Sequence, residues 1–354
     1  MAEKRLTVAL VLAASTGGIG RHVADLAGRL VARGHQVMVC GPPEADPASW
    51  EGLGRRFVAG PESPAAVRLL RRVTAEADVV HAHGLRATCT AAAVRPPLVS
   101  TWHNAPPGST SPARRTAHGL AERFAARRAT VTLTASADLA ERARRAGSRR
   151  ASFLPVVAPA LPPAGTPPEV VRAGLELGDR CLVLAVARLA PQKRLDLLVD
   201  ATRGWADDPL APCVVVAGDG PAELRASLEA AARQRRSGVR FLGARTDISD
   251  LLGAADAVVL PSDWEARPFV LQEALRAGVP VVATDVGGVA ALVGSAGVLV
   301  PPGDAGRLGR ELRELLDDPQ RQLALSRAGR ERAAGWLDPE QMVDAIEAVY
   351  LDLK

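Results

Sequence analysis

The sequence predicts an α/β protein made of two doubly wound domains of similar size that face each other across a cleft. Three observations carry this expectation. Short apolar runs alternate with amphipathic stretches along all 354 residues, the pattern of parallel strands between helices. Only 3% of the residues are aromatic while 47% are hydrophobic. The core must therefore be Val, Leu, Ile and Ala, which suit buried parallel strands better than an all-β sandwich. Finally, Pro155, Pro159, Pro162, Pro163, Pro167 and Pro168 interrupt the rhythm, which then restarts.

The first apolar run, Leu6–Ala13, follows Lys4 and Arg5 and imitates a signal peptide. It is read as a strand because a Gly-rich turn and a helix follow in the same βα rhythm. Further strands are expected at 36–40, 78–82, 97–101 and 131–135, with helices at 19–33, 64–75, 85–93, 113–128 and 137–146. After the proline run, strands are expected at 181–187, 213–217, 239–242, 257–260, 280–283 and 297–300. Their helices run over 194–206, 221–235, 247–254, 268–277 and 305–317, and 319–352 reads as two or three more. The domains are thus 1–154 and 181–335, with 155–180 a linker and the start of the second domain. Proline prevents helix and sheet continuation in that linker. The apolar segment 279–302 is broken by Pro280, Asp285, Gly287 and Gly288, so it is two short strands and a turn, not a membrane span. Ligands of such sheets bind at the carboxyl ends of the strands, which makes the cleft the expected site.

Charge is uneven. The net charge is +5, but residues 1–165 carry +11 and residues 166–354 carry −6. Residues 114–150 alone hold ten Arg against three acids, a patch suited to an anionic membrane surface or a phosphorylated acceptor. Nucleic acid is not expected, since stacking aromatics are scarce and no zinc-finger or RNA-binding pattern occurs. Lysine appears only as Lys4, Lys193 and Lys354. None follows a glycine, which excludes a Walker-type phosphate loop.

Cys40, Cys89, Cys181 and Cys213 are far apart and read as small buried hydrophobes of a reducing compartment. All six histidines lie in the first half. His81-x-His83 puts two imidazoles on one strand face, but no nearby acid supplies further ligands, so no metal is expected.

Ser15-Thr16-Gly17-Gly18-Ile19-Gly20 follows the first strand, where glycines let backbone N–H groups approach an anion at a helix N-terminus. A dinucleotide fingerprint fails there: Val23 stands where Gly or Ala is needed, and the second strand ends Cys40-Gly41-Pro42 without an acid for a ribose. A tight turn without a ligand remains the alternative. Arg188 and Lys193 sit at and just after a strand end, and Lys193 is the chain's only internal lysine, a compact ammonium suited to a diphosphate. Ala217-Gly218-Asp219-Gly220-Pro221 and Val239-Arg240-Phe241-Leu242-Gly243 are further candidates for backbone contact with a base or phosphate. In Pro261-Ser262-Asp263-Trp264-Glu265-Ala266-Arg267-Pro268-Phe269-Val270-Leu271-Gln272-Glu273, Pro268 suits the first position of a helix. Glu265 then precedes that helix and Glu273 lies inside it, so each carboxylate can hold separate hydroxyls of one ligand. A capping and a surface glutamate is the plainer alternative.

Together these motifs resemble the family-4 retaining glycosyltransferases of the GT-B fold over essentially the whole chain. Glu265 and Glu273 match that family's glutamate–seven residues–glutamate motif, followed by Ala277-Gly278-Val279-Pro280, Gly287-Gly288, Pro301-Pro302-Gly303-Asp304 and Leu315-Leu316-Asp317-Asp318-Pro319. Arg188 and Lys193 match its basic pair, and Gly17-Gly18 its amino-terminal glycine loop. Several positions depart from the pattern: Ala266, Arg267 and Pro268 replace Gly, an aromatic and Gly. The usual Glu after the double glycine is replaced within Val289-Ala290-Ala291, and the Asn-Gly near the linker by Pro155-Val156. These changes bear on sugar specificity.

The resemblance implies transfer of a hexosyl group, with anomeric retention and without a metal or other cofactor, from a nucleotide-diphosphate sugar. Arg188 and Lys193 would stabilise the departing diphosphate, Glu273 would hold the ribose, and Glu265 would face the donor sugar. Arg267, Phe269 and Val270 would add donor contacts, Phe241 and Leu242 would border the base, and Gly17 and Gly18 would close on the phosphates. His103 would lie near the reacting carbon. Acceptor contacts would come from Arg21, His22, His103, Asn104 and the 84–118 loops, for a carbohydrate or lipid-linked acceptor. Residues 336–354 would pack back on the first domain as a helix. The location is read as cytoplasmic, with peripheral contact at the inner membrane face through residues 114–150. Two other readings keep the fold: a nucleotide-sugar epimerase, which needs no acceptor, and a non-catalytic nucleotide-sugar-binding partner in envelope assembly.

Overall fold

The computed structural model describes residues 5–13, 17–42, 54–57, 64–105 and 111–354. They belong to two compact units, Met1–Pro159 with Leu337–Lys354, and Ala160–Trp336. Unit 1 runs β1 (Thr7–Leu12), α1 (Gly18–Ala32), β2 (Gln36–Gly41), β3 (Gly54–Phe57), α2 (Pro64–Val73), β4 (Val79–His83), α3 (Leu85–Ala91), β5 (Leu98–Trp102), α4 (Pro112–Arg128), β6 (Val131–Thr134), α5 (Ala137–Ala146) and β7 (Ala151–Phe153). Unit 2 runs α6 (Pro168–Gly174), β8 (Leu182–Val186), α7 (Leu195–Ala201), β9 (Cys213–Ala217), α8 (Ala222–Arg235), β10 (Val239–Gly243), α9 (Ile248–Ala254), β11 (Ala257–Leu260), α10 (Phe269–Ala277), β12 (Val281–Thr284), α11 (Val289–Val293), β13 (Val298–Val300), α12 (Ala305–Leu316) and α13 (Pro319–Ala334). The last helix, α14 (Pro339–Asp352), belongs to unit 1.

Both sheets are parallel, with orders β3-β2-β1-β4-β5-β6-β7 and β10-β9-β8-β11-β12-β13. The order reverses between β1 and β4 in unit 1 and between β8 and β11 in unit 2. Loops leaving the carboxyl ends of those strands diverge and open a crevice at each switch point. The two-residue period of a strand divides the core: Val8 and Leu10 of β1 pack with α1 and α14, while Ala9 and Val11 face the layer of α2 and α3. A capping box of Asp338 and Gln341 starts α14, with Pro339 in its first turn. Met342, Val343, Ile346 and Tyr350 then form its buried stripe. Arg33, which caps the carboxyl end of α1, reaches Glu340, Asp344 and Glu347 of α14, at 2.6–2.8 Å. His35 Nδ1 accepts from the Leu6 N–H, which leaves Nε2 to donate to Glu347 at 3.0 Å.

Several elements differ from expectation. β3 and β7 lie at the two edges of the unit 1 sheet, where a strand needs no continuous apolar run. α6 forms inside the proline-rich stretch because Pro168 occupies its first turn, where a missing N–H costs nothing. The short helix α11 fills the turn between β12 and β13. The helix expected over 194–206 stops at Ala201, since Gly204 turns left-handed at φ +78° and residues 205–207 form a separate 3-10 turn. Pro268 is the cap of α10, not its first residue. Cys40 and Cys213 are buried, but Cys89 and Cys181 are only half-buried, and burial pushes both of those thiols up.

Candidate active site

In unit 2 the site forms where β8 and β11 separate. The segment after β8 carries Arg188 and then a 3-10 turn, Pro191–Lys193. The segment after β11 carries Ser262 through Glu265 and ends at the cap of α10. Backbone bonds join them: Asp263 N–H donates to the Gln192 carbonyl at 2.9 Å, and Gln192 Nε2 donates to the Trp264 carbonyl at 2.6 Å. Arg194 Nη1 adds an ion pair to Asp263 at 2.8 Å. These clamps bring Lys193 Nζ to 2.5 Å from Glu265 Oε1, although 72 residues separate them. The same carboxylate oxygen accepts from Ser262 Oγ at 2.7 Å, and Thr284 Oγ1 holds the Ser262 carbonyl at 2.5 Å. The Lys193 and Glu265 side chains are 19% and 9% exposed, so this ion pair is poorly screened by water.

Glycines support both segments. A Cβ on Gly218 would lie 1.9 Å from the Ala187 carbonyl oxygen, and one on Gly220 would lie 2.4 Å from that of Leu189. The turn 217–220 therefore packs against the backbone on either side of Arg188. Gly288 N–H likewise donates to the Glu265 carbonyl at 2.8 Å.

The other donor-side candidates are placed as follows. Arg188 is exposed. Glu273 is buried within α10 and draws the Arg276 guanidinium upward, against the larger downward effect of burial there. Val270 belongs to the core, so only its backbone is open to a ligand. Phe269 is half-buried at the start of α10. Phe241 and Leu242 lie in edge strand β10, not in a loop, and pack on opposite core layers. The Arg267 guanidinium sits over Trp336, 5.2 Å from the ring centroid. Burial, with Arg276 and Arg332 nearby, lowers its pKa to about 10.

In unit 1, Gly17 caps α1 at φ +117°, a conformation that favours glycine. Gly18 opens the helix, and Arg21 N–H donates to the Gly17 carbonyl. Ser15, Thr16 and residues 106–110 lie outside the described residues. Asn104 is exposed. His22 of α1, His83 at the end of β4 and His103 just after β5 converge; the sequence grouped His22 with His103 but gave no sign that His83 joins them. His83 Nδ1 lies 3.2 Å from His103 Nε2, and the His22 ring centroid lies 5.3 and 5.5 Å from those of His83 and His103. His81 stacks on His83 at 4.2 Å and is held by hydroxyls of Tyr350 and Thr101, each at 2.6 Å.

Residues 16–155 match the family model described as Glycosyltransferase Family 4, and residues 169–332 match that described as Glycosyl transferases group 1. The crystal structure of Anabaena HepE in complex with UDP-glucose superposes at a TM-score of 0.84 over 98% of this chain and all of that one, at 22% identity. The chain is a family-4 glycosyltransferase of the GT-B fold. A similar curated protein is the glycogen synthase of Mycobacterium tuberculosis, 28% identical over 96% of this transferase and 92% of that protein. The lipopolysaccharide core mannosyltransferase LpsB of Rhizobium meliloti is 35% identical over 47% of this transferase and 50% of its own length. Among the described residues, no helix of the transferase is long and apolar enough to cross a membrane.

Burial sets the protonation of the transferase's histidine cluster. Desolvation outweighs the attraction of Asp25 and lowers His22 to about 4; desolvation, with His22 nearby, lowers His81 to about 3. His83 and His103 are held well below 6.5, first by burial and then by the neighbouring rings. An unfolded histidine takes its proton near pH 6.5. Below that value the unfolded chain binds more protons than the folded one, so stability falls with falling pH until the folded values are reached. The expected loss is about 1.4 kcal/mol per pH unit for each such histidine. Thermal melts of the full chain between pH 7 and 4.5 read this directly, and a flat profile would contradict the assignment.

Proposed function

We propose that this transferase moves a hexosyl group from a nucleotide-diphosphate sugar to a carbohydrate or lipid-linked acceptor, with retention at the anomeric carbon and without a metal. The observation that carries the donor half is the meeting of Lys193 and Glu265 at the β8–β11 switch point. Breaking the bond from anomeric carbon to diphosphate oxygen leaves positive charge on the sugar and negative charge on the diphosphate. Lys193, with exposed Arg188, supplies fixed positive charge for the leaving group. Glu265, steadied by Ser262, faces the sugar hydroxyls, and Glu273 holds the ribose. Each charge-assisted contact is worth roughly 1.5–3 kcal/mol. For Gly17, Gly18 and His103 the family resemblance implies contacts to the phosphates and to the sugar. Burial keeps His103 neutral, so it can hydrogen-bond a sugar hydroxyl without repelling the developing positive charge.

Calorimetry with UDP, GDP, ADP and TDP and their common sugars tests this reading. UDP comes first, because the similar Anabaena protein was crystallised with it. Selective binding of one nucleotide, weakened about tenfold by Glu273→Ala, is the expected result. Binding to none would overturn the reading, and donor binding without transfer or donor cleavage would favour the non-catalytic partner.

The same proposal places an anionic membrane surface against α4. Leu120 and Phe124 are 58% and 50% exposed one turn apart, and Arg123 and Arg127 beside them are exposed as well. An apolar pair flanked by arginines fits an acidic bilayer surface. Sedimentation with anionic vesicles is expected to be strong and to be lost in Phe124→Ser. Equal, negligible binding to anionic and neutral vesicles would count against it.

A further inference from the structure

The histidine cluster of unit 1 has properties that the transfer reading does not use. His22, His83 and His103 are 1%, 2% and 7% exposed. One ring nitrogen from each lies within 4.8 Å of the other two. The His83–His103 separation is 3.2 Å. Two nitrogens bonded to one tetrahedral ion at about 2.0–2.1 Å lie roughly 3.3–3.4 Å apart. Among the described residues, His22 Nδ1 is buried with no hydrogen-bond partner, which a buried polar atom rarely tolerates.

From this geometry we propose that His22, His83 and His103 bind a divalent transition-metal ion within unit 1. The donor set is three imidazoles without thiolate or carboxylate. It selects Zn²⁺, Co²⁺, Ni²⁺ or Cu²⁺ over Mg²⁺ and Ca²⁺, which prefer oxygen. Neutral imidazole is the ligating form, and burial keeps all three rings neutral at ordinary pH. One imidazole of the His83–His103 contact donates to the other, so entry of an ion moves that proton to the far nitrogen of the donating ring. His81 is no ligand, since both its nitrogens are engaged by hydroxyls. Its stacking on His83 orients that ring instead. Three protein ligands leave a fourth position for water or an exogenous group.

This site goes beyond the transfer reading and does not depend on it. The two share His103, so the test reads the metal and not activity. Untagged full-length chain titrated with Co²⁺ is expected to develop the visible d–d bands of low-coordinate cobalt, saturating at one equivalent and displaced by Zn²⁺ but not Mg²⁺. His22→Gln and His83→Ala should each weaken binding about tenfold or more, while His118→Ala, on α4, should leave the spectrum unchanged. A Zn²⁺-dependent rise in melting temperature, absent in His22→Gln, provides a second readout. Absence of the bands, or bands that persist in both variants, would overturn the proposal.

Discussion

Lys193→Ala is expected to lower turnover about a hundredfold or more and to weaken nucleotide-diphosphate binding about tenfold, with the fold retained. Two losses combine. The departing diphosphate loses a fixed positive charge, and Glu265 is left in a poorly hydrated position with Ser262 as its remaining side-chain partner among the described residues. Lys193→Arg is expected to recover only part of the activity. A planar fork is bulkier than an ammonium and spreads its charge over several donors, in a position held by the bonds between Gln192 and the 263–264 backbone. Calorimetric affinity and the rate of donor cleavage separate these effects. Unchanged affinity in both Lys193→Ala and Glu273→Ala would remove the proposed donor site.

Gly287→Ala is expected to cost about 1–3 kcal/mol of stability and most of the activity. A Cβ there would stand 2.2 Å from the Glu265 carbonyl oxygen and 2.8 Å from Trp264 Nε1, on backbone at φ +52°. Relieving that overlap moves the segment holding Glu265 against Lys193, so the damage reaches the site as well as the core. Gly253→Ala makes a sharp control, because nothing lies within 4 Å of its Cβ in helix α9. That substitution is expected to be neutral or to stabilise by about 0.4–1 kcal/mol. Urea melts of the two variants decide the matter, and equal midpoints would show that Gly287 has room to spare.

The buried strands were legible in the sequence because a parallel strand covered on both faces must be continuously apolar, as in Cys213–Ala217. β3 and β7 were not legible for the same reason: Gly54–Phe57 contains Arg55 and Arg56, and Ala151–Phe153 ends in two exposed residues at a sheet edge. Lys193 and Glu265 stood out by rarity and by motif. Their supports did not, since Gln192 and Thr284 act by donating to backbone carbonyls, and such partnerships leave no pattern in side-chain spacing. Arg267 meeting Trp336 and His22 meeting His83 depend on segments far apart in the chain. His81 and His83 were seen as one strand face, but the third ring came from α1.

The return of α14 to unit 1 has a consequence for synthesis. Ala160–Trp336 is one uninterrupted stretch, whereas the other unit is assembled from both sides of it. As the chain leaves the ribosome, the second-emerging unit is complete while the first still lacks Met342, Val343, Ile346 and Tyr350 from its hydrophobic layer. The order in which the two units become complete is thereby the opposite of the usual amino-to-carboxyl order. Until the final helix emerges, the face of β1 and α1 that it covers is open, and so is the hydroxyl-bonding side of His81. Released chains truncated shortly before residue 337 therefore contain the whole carboxyl-proximal unit and an unfinished amino-terminal one, which marks such fragments as the ones where a chaperone has most to protect.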